Sequence, residues 1–261
     1  PLAREGWEAG EWAEIHCTSM PHQIERTLLC VGTKSPGIAC LANCLADHAV
    51  MLHTFEDLPA RALLTLQKKS CNLVALHIPD RNPLPRTLHA LRNLPAVIVH
   101  IGRMQAGIVS RTGAGVDDLP RLRMINSPAG SIGRMLIDQL LSEKEIHPDQ
   151  IYGNSNEVKT ENAVVSAVRN GIVDAGISSS ALAAEAGLSF IPLICESHVL
   201  VIRKESLEDE RIQTLLHMVQ SPEFKQSLQG RYTTTWTGRI SSFPLELPQV
   251  TISSDEGIPQ P

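Results

Sequence analysis

Asn126-Ser127-Pro128-Ala129-Gly130-Ser131-Ile132-Gly133-Arg134 is the stretch on which the fold turns. The short apolar run Arg123–Asn126 before it reads as a strand. The residues after it read as a helix through Leu141, opened by Ser and Pro at positions that suit a first turn. A strand that passes through small residues into a helix is the grammar of an open α/β sheet. The same grammar stands near the start of the regular sequence. Thr27–Val31 is a strand pattern, Gly32-Thr33-Lys34-Ser35 a small-residue turn, and Pro36–Ala46 a helix pattern. A strand at Val50–Thr54, a helix at Asp57–Lys69 and a strand at Asn72–Ile78 follow, which predicts parallel pairing with right-handed crossovers.

The pattern continues with strands at Ala96–Ile101, Gln105–Ser110, Val173–Ile177, Phe190–Leu193 and Val199–Arg203. Helices are expected at Thr160–Asn170, Ser180–Glu185, Leu207–Val219 and Pro222–Leu228. Residues 1–26 read as a linker or appendage, and the Pro-rich stretch 241–261 as a tail that is poorly ordered or draped over the surface. The chain begins at Pro1, so a segment upstream is expected.

Composition narrows the function. The chain has 261 residues, a net charge of -5, and only 3% aromatic residues. The charge excludes non-specific nucleic-acid binding, which needs a basic excess. The scarcity of aromatics argues against stacking platforms for bases. No apolar run is long enough to cross a bilayer. Cys17, Cys30, Cys40, Cys44, Cys71 and Cys195 sit mostly in apolar segments without a CxxC pair, as expected of reduced thiols in a cytoplasmic protein. A metal site from His16, Cys17 and His22 is a weaker alternative, and no cofactor is expected.

In open α/β sheets ligands bind beyond the carboxyl ends of the strands. The turns at Thr33-Lys34-Ser35 and Ser127–Gly133 place hydroxyls and backbone N–H groups at helix N-termini there, an arrangement that holds anions. Ordinary capping of the two helices explains the same residues. Lys34 and Arg134 add positive charge. Glu157, Thr160 and Glu161 open the next helix, and Asp174-Ala175-Gly176 offers small residues beside a strand. A rival reading takes Ala129-Gly130-Ser131-Ile132-Gly133 as an incomplete nucleophile elbow, with Asp174 and His198 or His217 in hydrolase order.

Several segments, in order, resemble the PBP-like substrate-binding domain family, which has the type II periplasmic-binding-protein fold. Arg103–Val109 looks like its R-x-Q-G-L segment. Gly32–Ser35 stands at G-S-H-D, Leu76–Asp80 at H-L-x-D, and Asn126–Arg134 at N-R-x-x-G-S-G-T-R. Glu157–Glu161 stands at E-x-x-T-H, Val173–Ile177 matches A-D-A-G-L, and Leu188–Leu193 is similar to G-L-D-F-V-P-L, with Glu196 following. The resemblance implies two α/β lobes about a hinge: lobe 1 from residues 27–101 plus 203–240, and lobe 2 from 102–202. It implies closure of a cleft on a small molecule or an oxyanion such as molybdate, without covalent chemistry. Relatives of this kind are fused to helix-turn-helix regulators and to molybdopterin-biosynthesis proteins. The chain is therefore expected to be the ligand-sensing effector domain of a transcriptional regulator, with an upstream DNA-binding partner and a homodimer as possible associations.

The ligand-binding residues expected on these grounds are Thr33, Lys34, Ser35, Ser131, Arg134, Glu157, Thr160 and Asp174. The departures from the family pattern all move toward acid or away from donors: Phe55-Glu56-Asp57 replaces a G-S turn, Ser127 replaces Arg, and Glu161 replaces His. They leave the fold expectation intact and open the ligand to metabolites other than a dianion. A serine hydrolase using Ser131 and a ligand-free interaction domain are the alternatives.

Overall fold

The structure, a computed structural model, describes residues 25–79 and 94–242. The expected linker, the His16–His22 cluster and the Pro-rich tail beyond 242 lie outside the described residues.

Seven strands form one mixed sheet: β1 (Thr27–Gly32), β2 (Met51–Glu56), β3 (Leu73–Pro79), β4 (Ala96–Ser110), β5 (Ala175–Ser179), β6 (Ser189–Arg203) and β7 (Ile240–Ser242). The order is β2-β1-β3-β6-β4-β5, with β7 paired to β4. β1 runs parallel to β2 and β3. The pairs β3–β6, β6–β4 and β4–β5 are antiparallel, so parallel ladders between these strands are confined to the first three.

Among the described residues seven α-helices cover the sheet: α1 (Pro36–Ala46), α2 (Pro59–Gln67), α3 (Ile132–Glu143), α4 (Glu161–Arg169), α5 (Ser180–Glu185), α6 (Glu210–Gln220) and α7 (Pro222–Ser227). The start of α1 shows how local sequence sets an element. Pro36 occupies the first turn, where its missing N–H costs nothing, and the Ser35 hydroxyl accepts the Ile38 N–H. Ile38, Leu41 and Leu45 then recur at helical spacing and are buried. Each such aliphatic side chain contributes about 1.5–3 kcal/mol when fully buried.

Among the described residues four apolar clusters result, one on each face of each half. Leu28, Leu41, Leu215 and Phe224 belong to the cluster under α1, α6 and α7, and Leu63, Leu66, Leu76 and Val201 to the one under α2. Ile108, Ile137 and Ile177 pack under α3, and Val109, Val164 and Val168 under α4.

β4 and β6 join the halves, each fifteen residues long and paired almost end to end. The sequence suggests two short strands in each place. The interruptions are register shifts at His100/Gly102 and Ala106/Gly107, which bend the ribbon without ending it. The second has a steric cause, because a Cβ on Gly107 would sit 2.1 Å from the Ile191 carbonyl oxygen. Arg123–Asn126, expected as a strand, makes only isolated parallel bridges, Met124 to Ala175 and Asn126 to Glu157. Its amides are divided among Tyr152, Ala175 and Asn156, so no single neighbour builds a ladder with it.

Candidate ligand-binding cleft

A cavity of about 910 Å³ lies where the two halves face each other. The first half contributes the β1–α1 turn (Thr33, Lys34, Ser35) and the β2–α2 turn (Glu56, Asp57, Leu58). The second contributes the start of α3 (Ser127, Ser131, Gly133) and of α4 (Lys159, Thr160, Asn162). Four helices of eight residues or more thus point their N-termini at one space. Ser131 Oγ accepts the Arg134 N–H at 3.2 Å, and Thr160 Oγ1 accepts the Ala163 N–H at 3.2 Å. These caps satisfy the third amide of each helix and do not use those of Ile132, Gly133, Glu161 and Asn162. α1 differs: Pro36 has no N–H, and the Gly37 N–H is donated to Tyr232 Oη at 3.1 Å. Its first turn therefore offers dipole field more than free donors.

Lys34, Arg61, Lys159 and Arg231 also line the cavity. Two of them are matched by acids, Arg61 by Asp57 at 2.7 Å and Arg231 by Glu185 at 2.9 Å.

The floor comes from the strands. His77 on β3 and Glu196 and His198 on β6 are 4%, 2% and 2% exposed, yet all three line the cavity. The imidazoles stack with centroids 3.5 Å apart. His77 Nδ1 and His198 Nε2 each lie 3.6 Å from Glu196 Oε1, too far for a good hydrogen bond. His198 Nδ1 lies 2.9 Å from Tyr232 Oη. Glu161 stands beside this group, its carboxylate accepting the Ser179 N–H at 3.1 Å.

The floor's charges are coupled. Burial alone would depress His77, but the carboxylates of Glu196 and Glu161 outweigh it and raise its pKa. Burial pushes Glu196 up, and the opposing pull of His77 and His198 leaves it far below the usual carboxylate range. His198 drops to about 4, through burial first and the charge of His77 second. Glu161 is raised by burial and by Glu196. These directions push His77 and Glu196 toward their charged forms and His198 and Glu161 toward their neutral ones.

Of the residues singled out from the sequence, Thr33, Lys34, Ser35, Ser131 and Thr160 come together on the cavity wall. Arg134, Glu157 and Asp174 are not among its lining residues. Arg134 is held by Asp138 at 2.8 Å and Glu157 at 3.0 Å. Asp174 accepts hydrogen bonds from the Arg123 guanidinium and backbone N–H, which hold its pKa down at about 2. Among the described residues no hydrogen bond links Ser131 to His198 or Asp174, and the Ser131 hydroxyl is engaged as a helix cap. The floor was not anticipated as a unit. Its three members lie up to 121 positions apart, and their one signal is polar residues inside otherwise apolar strands, LVALHIP and SFIPLICESHVLVIR.

Cys30, Cys40, Cys44, Cys71 and Cys195 are free thiols, and burial pushes Cys30 up to about 12, as befits a packed thiol. No helix among the described residues is long and apolar enough to cross a membrane.

Comparison with known proteins agrees with this architecture. The chain is 27% identical over 192 residues to the uncharacterized protein YvgK of Bacillus subtilis (strain 168), covering 69% of this chain and 62% of that protein. It therefore spans less than two thirds of that relative's length. It is 33% identical over 109 residues to an uncharacterized protein from the 5′ region of a ferredoxin 2Fe-2S gene of Clostridium pasteurianum, covering 41% of this chain and 96% of that protein. Among solved structures it resembles PhnD1 from Prochlorococcus marinus in complex with methylphosphonate (TM-score 0.54, 11% identity, 84% of this chain and 93% of that one). It also resembles a phosphate ABC transporter substrate-binding protein from Clostridium perfringens with bound phosphate (TM-score 0.58, 11% identity, 77% and 96%). A third likeness is to reduced OxyR from N. meningitidis (TM-score 0.55, 13% identity, 80% and 98%). At these identities the structures share the fold, which is that of the type II periplasmic binding proteins. A family model for the PBP superfamily domain matches residues 46–220, and the chain belongs to that family.

Proposed function

We propose that this chain is a non-catalytic ligand-binding domain whose cleft closes on a small anion, and that it serves as the effector half of a cytoplasmic transcriptional regulator. The observation that carries the reading is the convergence of the α3 and α4 N-termini, opposite those of α1 and α2, on one cavity of about 910 Å³. Unused amides and aligned dipoles attract negative charge without a basic protein. The cavity is far larger than a tetrahedral oxyanion, so such a ligand is gripped only when the halves approach, bending the β4–β6 ribbon between them. Fold-mates with bound phosphate and methylphosphonate support an oxyanion, with molybdate among the candidates, and the OxyR likeness supports a regulatory setting. Glu56 and Asp57 oppose a bare dianion, which favours a ligand whose charge is partly balanced.

Thermal unfolding in the presence of molybdate, tungstate, sulfate, phosphate and methylphosphonate tests the reading. At a ligand concentration 100 times Kd, a binder adds about 2.7 kcal/mol of stability. A rise of several degrees with at least one anion is expected. No rise with any of them would overturn the anion assignment.

A further inference from the structure

We propose that the cleft floor is a divalent transition-metal site, with one imidazole nitrogen each from His77 and His198 and a carboxylate oxygen from Glu196 as protein ligands. One ligand atom from each of the three residues lies within 4.8 Å of the others. His77 Nδ1 and His198 Nε2 are each 3.6 Å from the same Glu196 oxygen. Ligand atoms of a tetrahedral zinc site with bonds near 2.0 Å stand roughly 3.3 Å apart, so the gap is the size of a metal ion and too wide for a hydrogen bond.

The second observation is unmet demand. His77 Nε2, His198 Nε2 and Glu196 Oε2 are all buried without a hydrogen-bond partner. Unpaired buried polar atoms are costly; His198 Nε2 is itself one of the proposed ligand atoms, and His77 Nε2 and Glu196 Oε2 belong to the same three side chains. The third observation is the support behind His198. Tyr232 Oη lies 2.9 Å from His198 Nδ1 and itself receives the Gly37 N–H. A tyrosine oxygen accepting the Nδ1–H leaves the Nε2 lone pair for the ion, the outer-shell arrangement that fixes a ligating histidine. Two imidazoles and one carboxylate suit Zn²⁺, Co²⁺, Ni²⁺ or Fe²⁺ better than Mg²⁺ or Ca²⁺, which take oxygen sets. Stacked rings 3.5 Å apart direct their nitrogens along nearly parallel lines, so coordination of one ion by both requires the rings to splay. Open coordination positions then face the cavity. There a cation would give an anion arriving between the helix N-termini a direct partner.

The site extends the anion reading without depending on it, and the experiment separates the two. Metal-stripped chain is titrated with Co²⁺, followed by visible absorption, and with Zn²⁺ in competition with a chelating dye, with no oxyanion present. One ion per chain is expected. His198→Gln and Glu196→Gln should each weaken binding at least 100-fold. Tyr232→Phe should weaken it about 10- to 100-fold as a positioning change. Asp174→Asn, outside the cleft, should bind as the wild type does. X-ray absorption of the Co²⁺-loaded wild type, which needs no variant to fold, should show a nitrogen/oxygen shell containing two imidazoles. Absence of stoichiometric binding, a shell with fewer than two imidazoles, or unchanged affinity in folded His198→Gln and Glu196→Gln would overturn the site. Oxyanion binding by a chain that takes up no Co²⁺ would overturn it while leaving the anion reading in place.

Discussion

Asp174 shows how one residue type serves two different ends. From the sequence, an acid beside Ala175-Gly176 reads as ligand-facing. In the structure it accepts two hydrogen bonds from the Arg123 side chain and one from the Arg123 backbone, with Arg111 at 3.7 Å. Its partners are 51 and 63 positions away, a distance at which sequence spacing carries no geometric information. The folded carboxyl sits near 2, below the roughly 3.9 of an unfolded chain. Its stabilisation is therefore complete above about pH 4 and is lost as pH falls through about 2. Asp174→Asn should cost about 1 kcal/mol at neutral pH, the upper end for a solvent-facing pair with two-pronged geometry. It should also flatten the acid limb of stability between pH 4 and 2. Urea unfolding across that range checks both, and an acid limb as steep as the wild type's would remove this role. The floor residues pose the opposite problem. His77 and His198 stand in apolar strands, where a histidine is read as ordinary core until the pairing of β3 with β6 sets the two opposite each other.

At the scale of elements, the first half was legible because its signals are local. Ser35 and Pro36 mark the start of α1, and buried positions at helical spacing carry it to Ala46, the bound the sequence suggests. β4 and β6 were legible only as fragments. Glu196-Ser197-His198 interrupts the apolar run of β6, which looks like a break between strands. Pairing with β4 keeps the segment extended, and its side chains are polar because they floor a cavity. The close approach of β1 to β3 was likewise invisible in sequence. Gly32 adopts φ +130, and a Cβ there would meet the Ala75 carbonyl oxygen at 2.1 Å. Gly32→Ala therefore combines backbone strain with a backbone clash and should cost roughly 3 kcal/mol. Chemical denaturation with a reduced midpoint and unchanged slope would bear this out. A loss under 0.5 kcal/mol would show that β1 and β3 are not packed this closely.

The whole molecule is two cored halves joined by one long antiparallel ribbon, with helix N-termini from both halves around the space between them. The repeated strand–turn–helix grammar predicts an open α/β sheet, whereas the two lobes and their cleft were expected from the family resemblance. The cleft floor could not be read, because it exists only once His77 on β3 is set against Glu196 and His198 on β6. The central claim is that the cleft holds an anion at the helix N-termini, and Asn162 offers the cleanest lever on it. Asn162 is exposed on the cavity wall in the first turn of α4. Asn162→Asp is nearly isosteric, and an acid in a first helical turn favours the fold. Its only adverse effect should be on a bound anion. Isothermal titration of the wild type and Asn162→Asp with phosphate, methylphosphonate and molybdate is the direct measurement. The account predicts saturable binding of at least one anion by the wild type, and about tenfold weaker binding by a variant of undiminished thermal stability. Equal affinity in the two proteins, or no binding to either, would contradict it.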